Sequence, residues 1–264
     1  MDPPDHEPAV AALPHAAREV WLSLDHEISA ILGRDLVAIW AYGSLVGADR
    51  PRRPADLDTH VVLRSPPDAG TAARIEDAVA GIEGVEFDIW FITLDDARRN
   101  EEPPHAFREG RRDTSWAIHR AHWLAGRVIT IHGLPPTEVV MAPPWEDIVR
   151  ELERELEHIE RHVHEGDTDP YEASYAILNG SRILRTLETR DAVLSKREAG
   201  TWALEHLPGR WLPALQAALR AYDERATPDD ARLLASEMAP FVATVRDQLP
   251  ATRDADAIPR WSGY

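Results

Sequence analysis

A short apolar run that ends in a Gly-Ser turn is the feature that most constrains this chain. Residues 36–40 have the length and the aliphatic and aromatic composition of a buried strand, and Gly43 and Ser44 follow within a few residues. Gly43 supplies the backbone freedom that a sharp turn needs. Ser44 offers a hydroxyl and an N–H group to a phosphate oxygen. The pattern therefore predicts a phosphate-binding turn at the end of a strand.

A pair of carboxylates follows this turn. Eleven residues separate Ser44 from Asp56, and the sequence Asp56-Leu57-Asp58 leads into the apolar residues 61–63. Because side chains alternate along a strand, both aspartates are expected on one face at the start of the strand. Two adjacent carboxylates repel unless a cation joins them, and Mg²⁺ prefers a few carboxylates together with phosphate oxygens. The sequence thus predicts an Mg²⁺ site at Asp56 and Asp58, of the kind that nucleotidyl transfer uses.

A third acid is expected on a later strand. Residues 85–92 alternate between apolar and polar side chains, which places Glu86 and Asp88 on one face. We favour Asp88, because it lies between Phe87 and Ile89, deeper in the run, where an unpaired charge is costly. Asp88 is predicted to bind metal or to accept the proton of an attacking hydroxyl.

Composition excludes several classes of protein. The chain has 264 residues, no Cys, and 29 basic against 46 acidic residues, a formal charge of −17. The absence of Cys excludes a disulfide scaffold, a thiolate metal site and a cysteine nucleophile. The first residues lack the basic and apolar segments of a signal peptide, and no apolar run is long enough for a membrane span. We expect a cytoplasmic monomer that binds neither membrane nor nucleic acid, with a cationic small molecule as partner.

The hydrophobic pattern changes near residues 143–144. Before it, strands are predicted at about 36–42, 57–64, 85–93 and 128–132, among helices at about 15–32, 69–82 and 114–125. After it, only helical periodicity recurs, at about 148–163, 171–189, 196–206, 210–225 and 228–249. The predicted class is α+β, with a sheet domain at 1–144, an all-α helical bundle at 145–250 and a mobile tail at 251–264.

The order of these motifs resembles a known superfamily. A strand, Gly43-Ser44, Asp56-x-Asp58 and then Asp88 on a later strand look like the polymerase β-type nucleotidyltransferases. The rest of the chain resembles the bacterial aminoglycoside adenylyltransferases of the streptomycin/spectinomycin 3″/9 class. That resemblance is clearest in Ser181-Arg182-Ile183-Leu184, Lys196, Trp202-Ala203-Leu204-Glu205-His206-Leu207-Pro208 and Ala221-Tyr222. It implies a polymerase β-like sheet domain followed by a helical domain that binds substrate and nucleotide.

The resemblance also implies roles for residues of the helical half. Lys196 matches a lysine that contacts the nucleotide's phosphates, Arg182 a basic residue near the same site, and Tyr222 an aromatic residue at the nucleotide. Lys196 is also the only lysine in the chain, and a compact ammonium group suits a triphosphate oxygen. The alternatives are an ion pair with a helix acid for Arg182 and ordinary core packing for Tyr222.

Candidates for binding the acceptor are acidic or aromatic. Glu172 matches an acid that binds substrate amines in the antibiotic enzymes, and Asp169 would assist from the preceding loop. The alternative for Glu172 is charge compensation at a helix amino terminus. Trp116 is a candidate for the aromatic wall of the acceptor pocket, although tryptophans at helical spacing more often pack in the core.

The implied reaction is transfer of AMP from ATP to a hydroxyl of an aminoglycoside-type antibiotic, with Mg²⁺ as cofactor and pyrophosphate as product. Two alternatives stay open: a nucleotidyltransferase that modifies a protein or tRNA, and a catalytically silent nucleotide-binding regulatory module. A zinc site at the i, i+4 pair His158 and His162 is not expected, because no third ligand follows at a fixed spacing.

Overall fold

The computed structural model describes residues 15–44, 46, 56–82, 87–165 and 169–249. The chain separates into two compact units, one extending to Pro143 and the other beginning at Pro144. The tail predicted at 251–264 lies outside the described residues, as does Glu86.

The first unit is a four-stranded mixed sheet with helices on both faces. Its elements are α1 (His15–Leu32), β1 (Leu36–Ala41), β2 (Leu57–Leu63), α2 (Ala69–Ala80), β3 (Phe87–Thr93), α3 (Leu94–Ala97), α4 (Trp116–Leu124) and β4 (Ile129–Gly133). The strand order is β3-β2-β1-β4, in which β2 and β3 are parallel and the other two pairs are antiparallel. The four predicted strands are confirmed, and the ends of β1, β2 and β4 differ from the prediction by at most one residue. Residues 85–86 of the third predicted strand lie outside the described residues.

The two faces of the sheet have different roles. On one face, Leu57, Val61 and Leu63 of β2 pack in a core with the apolar stripe of α1 and with Ile75 of α2. On the other face, Val62 packs with Trp40, Tyr42 and the tryptophans of α4. Because side chains alternate along a strand, Asp58 and His60 share the face of Val62. The acidic candidates are therefore on the α4 side of the sheet.

The second unit is entirely helical in its described residues. It contains α5 (Trp145–Glu165), α6 (Pro170–Thr189), α7 (Lys196–His206), α8 (Leu212–Tyr222) and α9 (Pro228–Gln248). The central helix α6 packs against α7, α8 and α9. A Cβ atom at Gly180 of α6 would lie 3.0 Å from ring and methyl carbons of Phe241 and Val245, so a glycine there lets α6 and α9 approach closely.

The amino terminus of α9 is fixed to α8 by one carboxylate. Thr227 caps α9 by accepting the Asp230 N–H at 3.1 Å, and Asp230 Oδ2 accepts the Thr227 N–H at 2.9 Å. Arg220 of α8 donates its Nε–H to the same oxygen at 3.0 Å. These hydrogen bonds, led by that of Arg220, lower the pKa of Asp230.

The predicted α+β class is confirmed: a sheet unit comes first and a helical bundle follows. Every helix in the described part of the chain is too short or too polar to cross a lipid bilayer.

Candidate active site

The turn after β1 packs directly against Asp58. Gly43 has φ 79°, and a Cβ atom built on it would lie 1.6 Å from Oδ2 of Asp58. The Tyr42 N–H donates to the Asp58 carbonyl at 3.1 Å, which joins the turn to β2 through the backbone. The predicted phosphate-binding turn and the second predicted metal ligand are therefore neighbours.

The acidic residues meet at the start of two parallel strands. Asp58 is paired with Asp88 in the parallel register of β2 and β3, so their side chains leave the same face of the sheet. Asp58 is half-buried, and Asp56, immediately before β2, is exposed. Ser44 is half-buried in the turn. The oxygen donors at this edge of the sheet are those that Mg²⁺ prefers, and the missing side chain of Gly43 leaves room for the Asp58 carboxylate.

One expectation about Asp88 is wrong. The sequence predicts a buried carboxylate deep in its strand, whereas Asp88 is exposed. The reason is its position: burial increases along the described part of β3 towards its carboxyl end, and only Phe91–Thr93 are buried. An exposed carboxylate beside Asp58 is nevertheless accessible to a metal ion and to a substrate hydroxyl.

Tyr42 shows how strongly negative this edge of the sheet is. Burial raises the pKa of the Tyr42 hydroxyl well above its usual value, and the charges of Asp58, Asp113 and Asp88 raise it further. Tyr42 therefore remains protonated within electrostatic reach of three carboxylates. A cation at this edge would offset their repulsion.

The structure adds three residues that the sequence analysis missed. Asp113 Oδ2 lies 3.1 Å from Nε2 of His60 and 3.0 Å from Nδ1 of His119. His60 is two residues beyond Asp58 on the same face of β2, and Tyr42 packs on both imidazole rings. No local spacing shows this group, because 53 residues separate His60 from Asp113. The one available signal was His60 itself, a histidine directly before the apolar residues 61–63 of β2.

Trp116 is a core residue, which corrects its assignment to the acceptor pocket. Its side chain is fully buried, and its indole N–H donates to the Arg99 carbonyl at 3.2 Å. Its ring packs edge-on against Trp123, with centroids 5.5 Å apart. Trp116 has no exposed surface to offer a ligand, because α4 uses it to cover the sheet.

In the helical unit, three predicted residues surround one aromatic side chain. Lys196 Nζ lies 4.3 Å from the ring centre of Tyr175 on α6. The Tyr175 hydroxyl donates to Glu155 of α5 at 3.0 Å. Burial raises the pKa of Tyr175, and so do the charges of Glu155 and Glu172, whereas Arg182 lowers it. Glu172, Tyr175 and Arg182 are spaced by three and seven residues and therefore share one face of α6.

Sequence reasoning missed Tyr175. Its spacing from Glu172 and Arg182 was the available signal, and its contact with Lys196 was not predictable before α7 was placed. Arg182 is half-buried and donates to Asn179 Oδ1 at 3.0 Å. This hydrogen bond to an amide differs from the predicted alternative, an ion pair with a helix acid.

Asp169 and Tyr222 each have a structural role. Asp169 caps α6, since its Oδ1 accepts the Tyr171 N–H at 2.8 Å. Tyr222 is 7% exposed at the end of α8, and the guanidinium carbon of Arg197 lies 5.7 Å from its ring centre. Stabilisation of α6 and packing of α8 account for these contacts, and ligand binding by either residue remains a proposal.

Comparisons with known proteins agree with this geometry. Residues 138–248 match the family model described as aminoglycoside adenylyltransferase, C-terminal domain. The fold is similar to the crystal structure of spectinomycin adenyltransferase AAD(9) from Enterococcus faecialis with ATP and spectinomycin. That likeness has a TM-score of 0.65 and 15% identity, and it covers 85% of this chain and 98% of the other. No curated protein sequence gave a significant match. The family match to residues 138–248 and the shared fold agree with the class suspected from the sequence.

Proposed function

We propose that this chain, a nucleotidyltransferase of the aminoglycoside adenylyltransferase class, transfers AMP from ATP to a hydroxyl of a streptomycin- or spectinomycin-like antibiotic and releases pyrophosphate. One observation carries the proposal: the Gly43 turn packs on Asp58, which is in register with Asp88, in a chain whose helical half matches that family. The structural neighbour, a spectinomycin adenyltransferase crystallised with ATP and spectinomycin, supports the choice of nucleotide and acceptor class.

In the proposed reaction the sheet unit supplies the acids. Asp56 and Asp58 hold Mg²⁺, which when bound neutralises charge on the triphosphate. Ser44 and the backbone at Gly43 bind phosphate oxygens. The acceptor oxygen attacks the α-phosphorus, the bond from that phosphorus to the bridging oxygen breaks, and Asp88 takes the hydroxyl proton. Catalysis rests on alignment of the two substrates and on charge neutralisation.

The helical unit supplies charges of both signs in this proposal. Lys196 and Arg182 bind phosphate oxygens, and Tyr222 packs at the nucleotide. Glu172, on the same face of α6 as Tyr175, binds an ammonium group of the acceptor, with Asp169 nearby in sequence. The formal charge of −17 attracts a polycationic antibiotic and repels nucleic acid. We further propose that the enzyme acts as a monomer in the cytoplasm, where ATP is available.

Mass spectrometry of an acceptor panel tests this function. The enzyme is incubated with ATP, Mg²⁺ and streptomycin, spectinomycin or an aminoglycoside unlike either, and pyrophosphate is measured in parallel. We expect one adenylyl group on streptomycin or spectinomycin and an equal amount of pyrophosphate. Transfer of label from ATP to protein or tRNA, with both antibiotics unmodified, would instead indicate a macromolecular acceptor. No pyrophosphate with any acceptor would indicate a silent nucleotide-binding module.

A further inference from the structure

A buried carboxylate between two imidazoles lies on the α4 side of the sheet. The side chains of His60 and Asp113 are 0% and 3% exposed, and that of His119 is 22% exposed. His60, Asp113 and His119 each offer one ligand atom, and these three atoms lie within 4.8 Å of one another. The proposed adenylyl transfer assigns no role to these groups. Two imidazoles and one carboxylate at this separation are typical of the ligands of a protein-bound metal ion.

The carboxylate of Asp113 lies among aromatic rings, with Tyr42, Trp116 and Trp123 around the two imidazoles. Buried charges in proteins are normally paired or bound to metal.

The geometry suits a shared coordination sphere. The carboxylate oxygen lies 3.1 Å from one imidazole nitrogen and 3.0 Å from the other. Two ligands that are each about 2.0–2.1 Å from a tetrahedral Zn²⁺ are roughly 3.3 Å apart. The other oxygen of Asp113, Oδ1, accepts the Ser115 N–H at 3.0 Å, as the second oxygen of a metal-bound carboxylate commonly does.

We propose that His60, Asp113 and His119 bind a Zn²⁺ ion, with water as the fourth ligand on the exposed side of His119. Two imidazole nitrogens and one carboxylate oxygen suit zinc, whereas Mg²⁺ prefers oxygen donors alone, so this site is distinct from that of Asp56 and Asp58. The ligands come from β2, from the segment before α4 and from α4 itself. Zinc would therefore join α4 to β2 at His60, which is two residues beyond Asp58. It would stabilise the face of the sheet that carries Asp58 and Asp88.

Metal analysis of the whole chain tests the site. The protein is produced without a polyhistidine tag, incubated with Zn²⁺, desalted and analysed by elemental mass spectrometry. We compare wild type with His119→Gln and with two controls: His122→Gln on the same helix, and His158→Gln in the helical unit. We expect about one zinc per chain in the wild type and both controls, and at least about fivefold less in His119→Gln, as loss of one of three protein ligands predicts.

A second measurement separates zinc binding from a change in packing. The chelator 1,10-phenanthroline, which leaves Mg²⁺ in solution, should lower the thermal midpoint of the wild type and leave that of His119→Gln unchanged. Visible absorption of the Co²⁺-substituted wild type, displaced by Zn²⁺, reports nitrogen ligation without any variant. Asp58→Asn should retain its zinc, because it alters only the Mg²⁺ site.

Three results would overturn the proposal. The first is a wild type that keeps less than about a fifth of an equivalent of zinc and shows no Co²⁺ absorption. The second is equal zinc in wild type and His119→Gln. The third is loss of zinc in His158→Gln alone, which would place the metal in the helical unit. Should His119→Gln fail to fold, the Co²⁺ spectrum and the chelator effect on the wild type decide the question.

Discussion

Replacement of Gly43 by Ala tests whether the turn is built around Asp58. Gly43 adopts φ 79°, and its missing Cβ atom would lie 1.6 Å from Oδ2 and 2.6 Å from Cγ of Asp58. Ordinary van der Waals contact begins at 3.4 Å, so in the variant the carboxylate oxygen must retreat by about 1.8 Å or the turn must move.

That displacement sets the size of the expected effect. Functional side chains must be held within about 0.5 Å of their working positions, and a misplacement of about 1 Å can reduce a rate about 10²-fold. We therefore expect Gly43→Ala to lower kcat/KM for adenylyl transfer by about 10²- to 10³-fold. The assay is pyrophosphate release with streptomycin or spectinomycin at limiting ATP, with the adduct confirmed by mass spectrometry.

Gly126→Ala is a matched control. Gly126 has φ 81°, and nothing lies within 4 Å of the position its Cβ atom would take. Both variants lose about 1–2 kcal/mol in free energy of unfolding, because an L-residue is strained in the left-handed region. Only Gly43→Ala moves Asp58. If the two folded variants had kcat/KM values within threefold of each other, the proposed support of Asp58 by the turn would be refuted.

Three further predictions concern single carboxylates. Asp88→Asn should lower turnover about 10²- to 10⁴-fold, whereas its affinity for ATP·Mg²⁺, measured by calorimetry, should change less than threefold. If Glu86→Gln loses turnover and Asp88→Asn does not, Asp88 is not the base. Glu172→Gln should lower kcat/KM for the antibiotic roughly 10- to 150-fold, or about 1.5–3 kcal/mol, without changing the KM for ATP. Glu188 is exposed near the other end of the same helix, so Glu188→Gln should change kcat/KM for the antibiotic less than twofold. Equal losses of kcat/KM in Glu172→Gln and Glu188→Gln would argue against an amine site at Glu172. Asp230→Asn should lower the free energy of unfolding at pH 7 by about 1–3 kcal/mol, because it loses charged hydrogen bonds. The folded-state pKa of Asp230 is depressed, so this difference should be fully present above about pH 4, the unfolded value, and should shrink as the pH falls towards the lower folded value. A difference as large at pH 2 as at pH 7 would contradict the assignment.

Much of the fold was predictable because each element has a strong local signal. β1 is apolar on every residue and β2 ends in the apolar run Val61–Leu63. Thr227 followed by Pro228 gives both the cap and the first residue of α9. The exposure of Asp88 was not predictable, because it depends on which part of β3 other elements cover. Strand ends are set by tertiary pairing, which periodicity does not contain.

The candidate site was predictable where its residues are close in sequence. Asp56 and Asp58 are two residues apart, at the start of β2, so both could be assigned from their spacing. The group of His60, Asp113 and His119 depends on a contact across 53 residues, and the contact of Lys196 with Tyr175 needs the packing of α7 on α6. Trp116 shows the opposite error: an aromatic residue near a site is more often part of the core that supports it.

The most direct test of the account is the single-turnover rate of adduct formation in Asp58→Asn, measured by mass spectrometry at saturating ATP, Mg²⁺ and antibiotic. The change keeps the shape of the side chain, so near-ultraviolet circular dichroism should match that of the wild type. Because the variant loses the charge that holds Mg²⁺ on the triphosphate, we predict a rate lower by about 10³-fold. A folded Asp58→Asn enzyme that keeps more than a tenth of the wild-type rate would contradict the assignment of Asp58 to the metal site.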